Sequence, residues 1–188
     1  PEKTNETGAL PELLRLLDLE GAILTIDAAG CYCDVAEKVT EAGADYVITL
    51  KENQKTLQRE AEALFEKLEQ IGRLPKAHKT VDGGHDRVEV RRCWAMDVEE
   101  VPIDTSGWPN LSSLCRVRAE RHHPDGRVQT EERLFLSSLE ADPKRLQKAV
   151  RHHWHVENKL HWTLDVAFKE DSSRVRTGHA AQNLGIVR

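Results

Sequence analysis

"AILTIDAAGCYCDVAEKVTEAGADYVITLK", residues 22–51, decides the fold. Two apolar runs, AILTID (22–27) and DYVITLK (45–51), flank a helical pattern. Each run is continuous rather than alternating, as in a strand buried on both faces, and the first ends in an acid. Between them Asp34 is predicted to open a helix, with Glu37 three residues on as a capping box and Gly43 as the stop. Strand, helix, strand in this order is an α/β unit with parallel strands joined by a crossover. Working outward, PELLRLLDLEG (11–21) predicts a helix, with Pro11 in its first turn and Gly21 at its end. On the other side Leu57, Ala61, Leu64, Phe65 and Leu68 mark an amphipathic helix.

The character changes near residue 72. TVDGGHDRVEVRRCWAMD (80–97) reads as a Gly-centred turn and a strand, and LCRVRAERHHPDGRVQTEERLFLSSL (114–139) as two strands around a His-Pro-Asp-Gly turn. SGWPN (106–110) between them is loop. Asp142-Pro143 then supplies an N-cap and a first-turn proline for a long helix through about residue 166. The chain therefore divides into an α/β part (1–71), a β-rich part (72–141) and a helical part (142–188).

Composition bounds the function classes. With 39% hydrophobic and 31% charged residues, the chain is an ordinary globular protein. No apolar run approaches a membrane span, and PEKTNETGAL lacks the regions of a signal peptide. The four cysteines (31, 33, 93, 115) form no CxxC pair, so neither a disulfide framework nor a zinc knuckle is expected, and a reducing cytoplasm fits best. Pro1 stands where an initiator methionine would, which is the expectation for a fragment. The net charge of -5 argues against a simple basic nucleic-acid binder, but the charge is unevenly spread. Residues 1–70 hold 7 Lys and Arg against 15 Asp and Glu; residues 143–188 hold 9 against 4. A polyanion would meet the C-terminal part first; the alternative is a set of solvated surface charges.

HHWHVENKLHW (152–162) sets four histidines and two tryptophans around Glu157. At about 100° per residue, Leu146, Val150 and Leu164 each lie about 20° from Glu157 and Leu160 about 60°. The glutamate is thus near the centre of the apolar stripe, flanked by His153 and His161, and must be paired, neutralised or bound to a cation. Asp27 raises the same question where a buried strand runs out, the end at which open α/β sheets gather ligands. Structural readings exist for both: Asp27 could cap a loop, and Glu157 could pair with a buried arginine. A histidine-zinc site lacks HExxH and a tetrahedral set, and no GxSxG marks a serine nucleophile.

RHHWHVENKLHWTLDVAFKEDSSRVR (151–176) resembles the C-terminal signature of the ISAs1 family of bacterial insertion-sequence transposases, also called H-repeat-associated proteins. TIDAAG (25–30), DYVITLKENQ (45–54), GHDRVEVR (84–91) and NLGIVR (183–188) resemble further family segments, in family order over nearly the whole chain. The resemblance implies an α/β fold: an incomplete ribonuclease-H-like (retroviral-integrase-like) core with a β-rich insertion before the last catalytic helix. Residues 1–71 would be the second part of that core, and 142–188 would complete it. It also implies a DDE transposase, whose three carboxylates hold two Mg²⁺ ions, with Mn²⁺ as a substitute. Asp27 matches the second acid and Glu157 the third. The first belongs to an Asp-Gly-Lys strand that no segment here matches and that would precede Pro1. Two readings follow: the C-terminal part of an enzyme that cleaves DNA and transfers strands at insertion-sequence ends, or a truncated, inactive remnant that at most binds DNA or self-associates.

By the same resemblance the partner is DNA, both transposon ends and target, met by a homo-oligomer without membrane attachment, in a bacterial cytoplasm and on the nucleoid when bound. Arg151, Lys159, Arg174 and Arg176 are candidate phosphate contacts, which position DNA rather than read it. His153 and His161 would meet the scissile phosphate or bond beside Glu157. Lys51 and Asn53, just past the second strand and near the predicted site, are candidate DNA contacts. His85, Arg87 and Arg91 would touch DNA from the insertion, with a strand salt-bridged through Glu89 as the alternative. Trp154 and Trp162 would pack in the core or stack on a displaced base.

Overall fold

The computed structural model describes Leu14, residues 16–84 and 87–155, and Arg174, the side chain of His155 excepted. The chain divides into two compact units, Pro1–Val150 and Arg151–Arg188. In the first unit, β1 (Ile23–Ile26), β2 (Asp45–Leu50), β3 (His78–Gly84), β4 (Arg87–Asp97), β5 (Ser113–His122) and β6 (Val128–Ser137) form one sheet in the order β1-β2-β6-β5-β4-β3. Its helices are α1 (Cys33–Glu41), α2 (Lys55–Gln70) and the start of α3 (Pro143–His155).

The parallel pair is present, with Ile23 opposite Asp45 and Ile26 opposite Ile48. All other pairings are antiparallel. The β-rich segment extends the same sheet through β6, which pairs with β2 from Val47↔Ser137 to Leu50↔Leu134. The stretch 80–97, read as a turn and one strand, is a hairpin whose first strand begins at His78.

Alternation divides the core between the two sheet faces. Tyr46, Ile48, Leu50, Trp94, Met96, Leu114, Leu134 and Leu136 pack with Ala36 and Val39 of α1 and Leu57, Ala61 and Phe65 of α2. The opposite set, Val47, Cys93, Ala95, Cys115, Val117 and Phe135, packs with Leu146, Ala149 and Val150 of α3. Burial on both faces is why β2 carries an unbroken apolar run.

Two predicted boundaries differ. Asp34 is not the N-cap of α1. Tyr32 is, with an extended backbone and no capping side chain. The turn at Ala28–Gly30 delivers the chain so that the Tyr32 carbonyl accepts from Val35 and Ala36, and Asp34 lies inside the first turn, 3.8 Å from Lys38. Its charge still favours the helix N-terminus. The first helix, predicted over 11–21, is described at Leu14 and from Leu16 onward. It has ended by Leu17, and Gly21 instead forms a left-handed turn (φ 70°) that donates to the Gly43 carbonyl at 2.9 Å. Gly43 does end α1 (φ 72°), and a Cβ there would stand 1.9 Å from Glu20 Oε2.

The strands differ in length, and this shapes the site. β2 stops at Leu50, opposite Leu134, whereas β6 runs on to Val128. Strands β3 to β6 therefore project about 20 Å beyond the carboxyl end of β2 as a four-stranded arm. Ion pairs within and between strands lace the arm on both faces. Arg92 meets Glu120 at 2.6 Å and Arg118 meets Glu132 on one; Arg91 meets Asp82 at 2.9 Å and Glu89 at 2.5 Å on the other, where Arg121 also bonds Glu89 at 3.2 Å.

Candidate functional site

The carboxyl ends of β1 and β2 lie side by side, and Asp27 follows β1 directly. Its Oδ1 accepts from the Ala29 N–H at 3.0 Å and caps the 3-10 turn Ala28–Gly30. The capping role weighed from sequence is therefore real, but it occupies one oxygen. Asp27 is exposed, and among the described residues no cationic side chain pairs with it. A carboxylate fixed by a local turn, solvent-facing and not neutralised is free to bind a hard cation.

The neighbouring strand supplies the support. Lys51 is exposed and opens the turn Glu52–Gln54, where the Gln54 N–H returns to the Lys51 carbonyl at 2.9 Å. Asn53 turns its amide back onto the loop after Asp27. Its Nδ2 donates to the Ala28 carbonyl at 2.9 Å and to the Cys31 carbonyl at 3.0 Å. Gln54 Nε2 donates to the same Cys31 carbonyl at 3.0 Å. Cys31 is wholly buried, and burial pushes its thiol up to about 12, with Cys33 adding to the rise, so it is no nucleophile at neutral pH.

Beside Lys51, in the step between the end of β2 and the arm, a cavity of about 330 Å³ is lined by Thr49, Lys51, Phe65, Glu66, Arg116 and Arg133 among others. Arg116 is 3% exposed. Its guanidinium lies 4.6 Å from the Trp94 ring centroid and 5.0 Å from that of Phe65, and Nη2 meets Glu69 at 3.0 Å. Arg118 holds the same glutamate at 2.8 Å. Stacking on aromatic faces and one charged partner make the burial of an arginine tolerable. Sequence reasoning missed Arg116, because Arg116 and Arg118 alternate with Cys115 and Val117 as a solvent-facing row would. Only the pairing Trp94↔Arg116 shows the ring beneath it.

The other predicted residues are spread out. Arg87 is exposed at the start of β4, and Arg91 makes the salt bridges of the structural alternative, including that to Glu89. Strand order puts β4 four positions from β1, about 19 Å at ordinary strand spacing, so these residues do not converge on Asp27. In α3 the predicted phase holds where it is described: Leu146 and Val150 are buried. In the second unit Arg151 and His153 are helical and half-buried, and the His153 ring meets Trp154 edge-on with centroids 6.3 Å apart. Arg174 is exposed. Glu157, His85, Lys159, His161 and Arg176 lie outside the described residues. Among the described residues no three His, Cys, Asp or Glu side chains are grouped to hold a metal ion, and no helix is long and apolar enough to cross a membrane.

Against known proteins, the family described as "Transposase DDE domain" matches residues 1–188. Over its full length the chain is 36% identical to the "H repeat-associated putative transposase YhhI" of Escherichia coli K12, covering 50% of that protein, and equally to YbfL of the same organism. A third relative, an uncharacterized protein from the dhlA 3' region of Xanthobacter autotrophicus, is 39% identical over 142 residues, which are 75% of this chain and 47% of that protein. The chain spans about half the length of the curated relatives it matches.

Proposed function

The chain belongs to the transposase DDE-domain family, and we propose that it is the part of an ISAs1-type transposase that contributes two of three metal-binding carboxylates, Asp27 and Glu157, to Mg²⁺-dependent DNA cleavage and strand transfer. The observation that carries this reading is Asp27 itself. A structural carboxylate at the end of a strand would be expected to spend its charge on a cationic neighbour. Asp27 instead keeps one oxygen and its charge available, while a turn fixes the other. Hard, oxygen-only donors of this kind suit Mg²⁺, or Mn²⁺ in its place. When bound, such ions activate an attacking oxygen and stabilise the leaving one in phosphodiester chemistry.

The chain's own residues hold and orient. Asp27 and Glu157 fix the cations, with the third acid supplied by an Asp-Gly-Lys strand that this sequence does not contain. Lys51, at the same end of the sheet as Asp27, takes a phosphate of the DNA backbone. Arg87 on the arm, and Arg151, Lys159, Arg174 and Arg176, take others, setting the duplex in place without reading it. His85, His153 and His161 stand as further DNA contacts, whereas Arg91, held by Asp82 and Glu89, braces the arm. Assembly on DNA as a homo-oligomer belongs to the same reading.

The test is single-strand nicking, by the full protein, of duplex DNA carrying the ends of its own element. Nicking should need Mg²⁺ or Mn²⁺ and fall to background in Asp27→Asn and in Glu157→Gln. Full activity in either variant would overturn the assignment.

A further inference from the structure

The segment Lys51-Glu52-Asn53-Gln54 is a natural candidate for DNA contact, being polar and beside the site. Lys51 is exposed, but the amides of Asn53 and Gln54 turn back onto the loop after Asp27. One nitrogen of Asn53 faces two carbonyl oxygens, Ala28 O at 2.9 Å and Cys31 O at 3.0 Å. Only the amino end of the amide can satisfy both, so its orientation is determined by its partners. Gln54 Nε2 adds a third bond, the second to Cys31 O, at 3.0 Å. The two carbonyls bracket the turn Ala28–Gly30, whose Ala29 N–H in turn holds Asp27 Oδ1. Within the turn Gly30 N–H returns to Asp27 O and Cys31 N–H to Ala28 O, each at 3.2 Å, near the long end for such bonds. The loop also bonds within itself through Tyr32 N–H to Gly30 O at 2.9 Å, and the amides of Asn53 and Gln54 are what tie it to the extension of the neighbouring strand β2.

We infer that Asn53, with Gln54 beside it, is a positioning residue for Asp27: its amide clamps the loop at both ends and so sets where the carboxylate presents its free oxygen. This rests on the reading of Asp27 as a metal ligand. Octahedral Mg²⁺ tolerates little displacement of a ligand, so a small relaxation of the loop weakens binding without unfolding anything. The carboxylate is the ligand, and Asn53 acts on the cation only through it.

The experiment compares the full wild-type protein with its Asn53→Leu, Gln54→Leu and Asp27→Asn variants. Three readouts are taken: Mn²⁺ affinity by loss of the free-ion EPR signal, hydrogen exchange at the Ala29 amide without metal, and affinity for a duplex DNA in EDTA. In Asn53→Leu the Mn²⁺ affinity should fall at least about tenfold and Ala29 exchange should quicken by a similar factor, with DNA affinity unchanged. Gln54→Leu, which removes one bond of the three and is the milder change, should show the same pattern more weakly. Mn²⁺ affinity unchanged in Asn53→Leu but lost in Asp27→Asn would overturn the clamp. So would DNA affinity falling alone, which would return Asn53 to DNA contact. If the wild type does not bind Mn²⁺, or Asp27→Asn binds it equally, the metal reading fails, and the role of Asn53 with it. Ala29 exchange then still tells whether the amide holds the loop.

Discussion

On the proposed reading Asp27 has two jobs for its two oxygens, and a single substitution separates them. Asn caps a turn about as well as Asp, so Asp27→Asn should leave stability within about 0.5 kcal/mol by denaturant midpoint while abolishing divalent-ion binding. A large loss of stability would mean the charge itself is structural. Glu69 makes the opposite case, because its charge serves the fold. The hydrogen bond from Arg118, with Arg116 adding to it, holds its carboxyl below the usual 4.5, against the opposing effect of burial. A folded value below the unfolded one adds stability that is present above about pH 4.5 and is lost as pH falls through the depressed value. Glu69→Gln should therefore flatten the acid limb of the stability curve. At pH 7 it should cost about 1–3 kcal/mol, since it leaves the buried Arg116 without its charged partner. An unchanged acid limb in urea melts from pH 3 to 7 would exclude this role. Of these residues only Asp27 was legible in the sequence, as an acid ending an apolar run; that run was expected to be buried on both faces, but β1 ends the strand order, with Ile23 exposed and Leu24 to Ile26 half-buried. Arg116 looked like surface, since its burial depends on rings contributed by α2 and β4.

Among the elements, the parallel pair β1–β2 and helix α2 were readable because each carries one unbroken periodicity. Helix α3 was readable at its start for a local reason. Asp142 Oδ1 accepts from Lys144 N at 2.8 Å and from Arg145 N at 3.3 Å, as the Asp-Pro pair predicted. Asp142→Ala should cost about 1 kcal/mol. Leu146→Ala, one turn on and wholly buried against the second face of the sheet, should cost about 2–5 kcal/mol. Equal losses in thermal unfolding would show that α3 is held by its cap rather than its packing. The start of α1 was misread because a capping box is a local signal, and a preceding turn fixed by long-range bonds overrode it. Asn53 was read as a DNA contact, and the two carbonyls its amide meets, 22 and 25 residues away, are long-range partners that no local signal announces.

At the scale of the whole molecule, the sheet continues from the α/β unit into the β-rich segment, which sequence could not show. Strand order is long-range information, and the partners of β2 on β6 lie between Val47↔Ser137 and Leu50↔Leu134, far apart in sequence. The outcome is a short parallel edge carrying Asp27 beside a long charged arm, both at one end of the sheet. Duplex DNA laid on that end would meet Lys51 and Arg87 together. Each alanine substitution should therefore lower the slope of log affinity against log salt by about one, measured by fluorescence anisotropy. A slope unchanged in both would place the duplex elsewhere. The central claim concerns Asp27 and Glu157, 130 positions apart in sequence, and one measurement reaches it directly. A crystal soaked in Mn²⁺ and recorded at the manganese absorption edge should show an anomalous peak about 2.1 Å from oxygens of both carboxylates. A peak on neither, or on one with the other turned into an ion pair, would contradict the assignment of these two acids to a shared metal site.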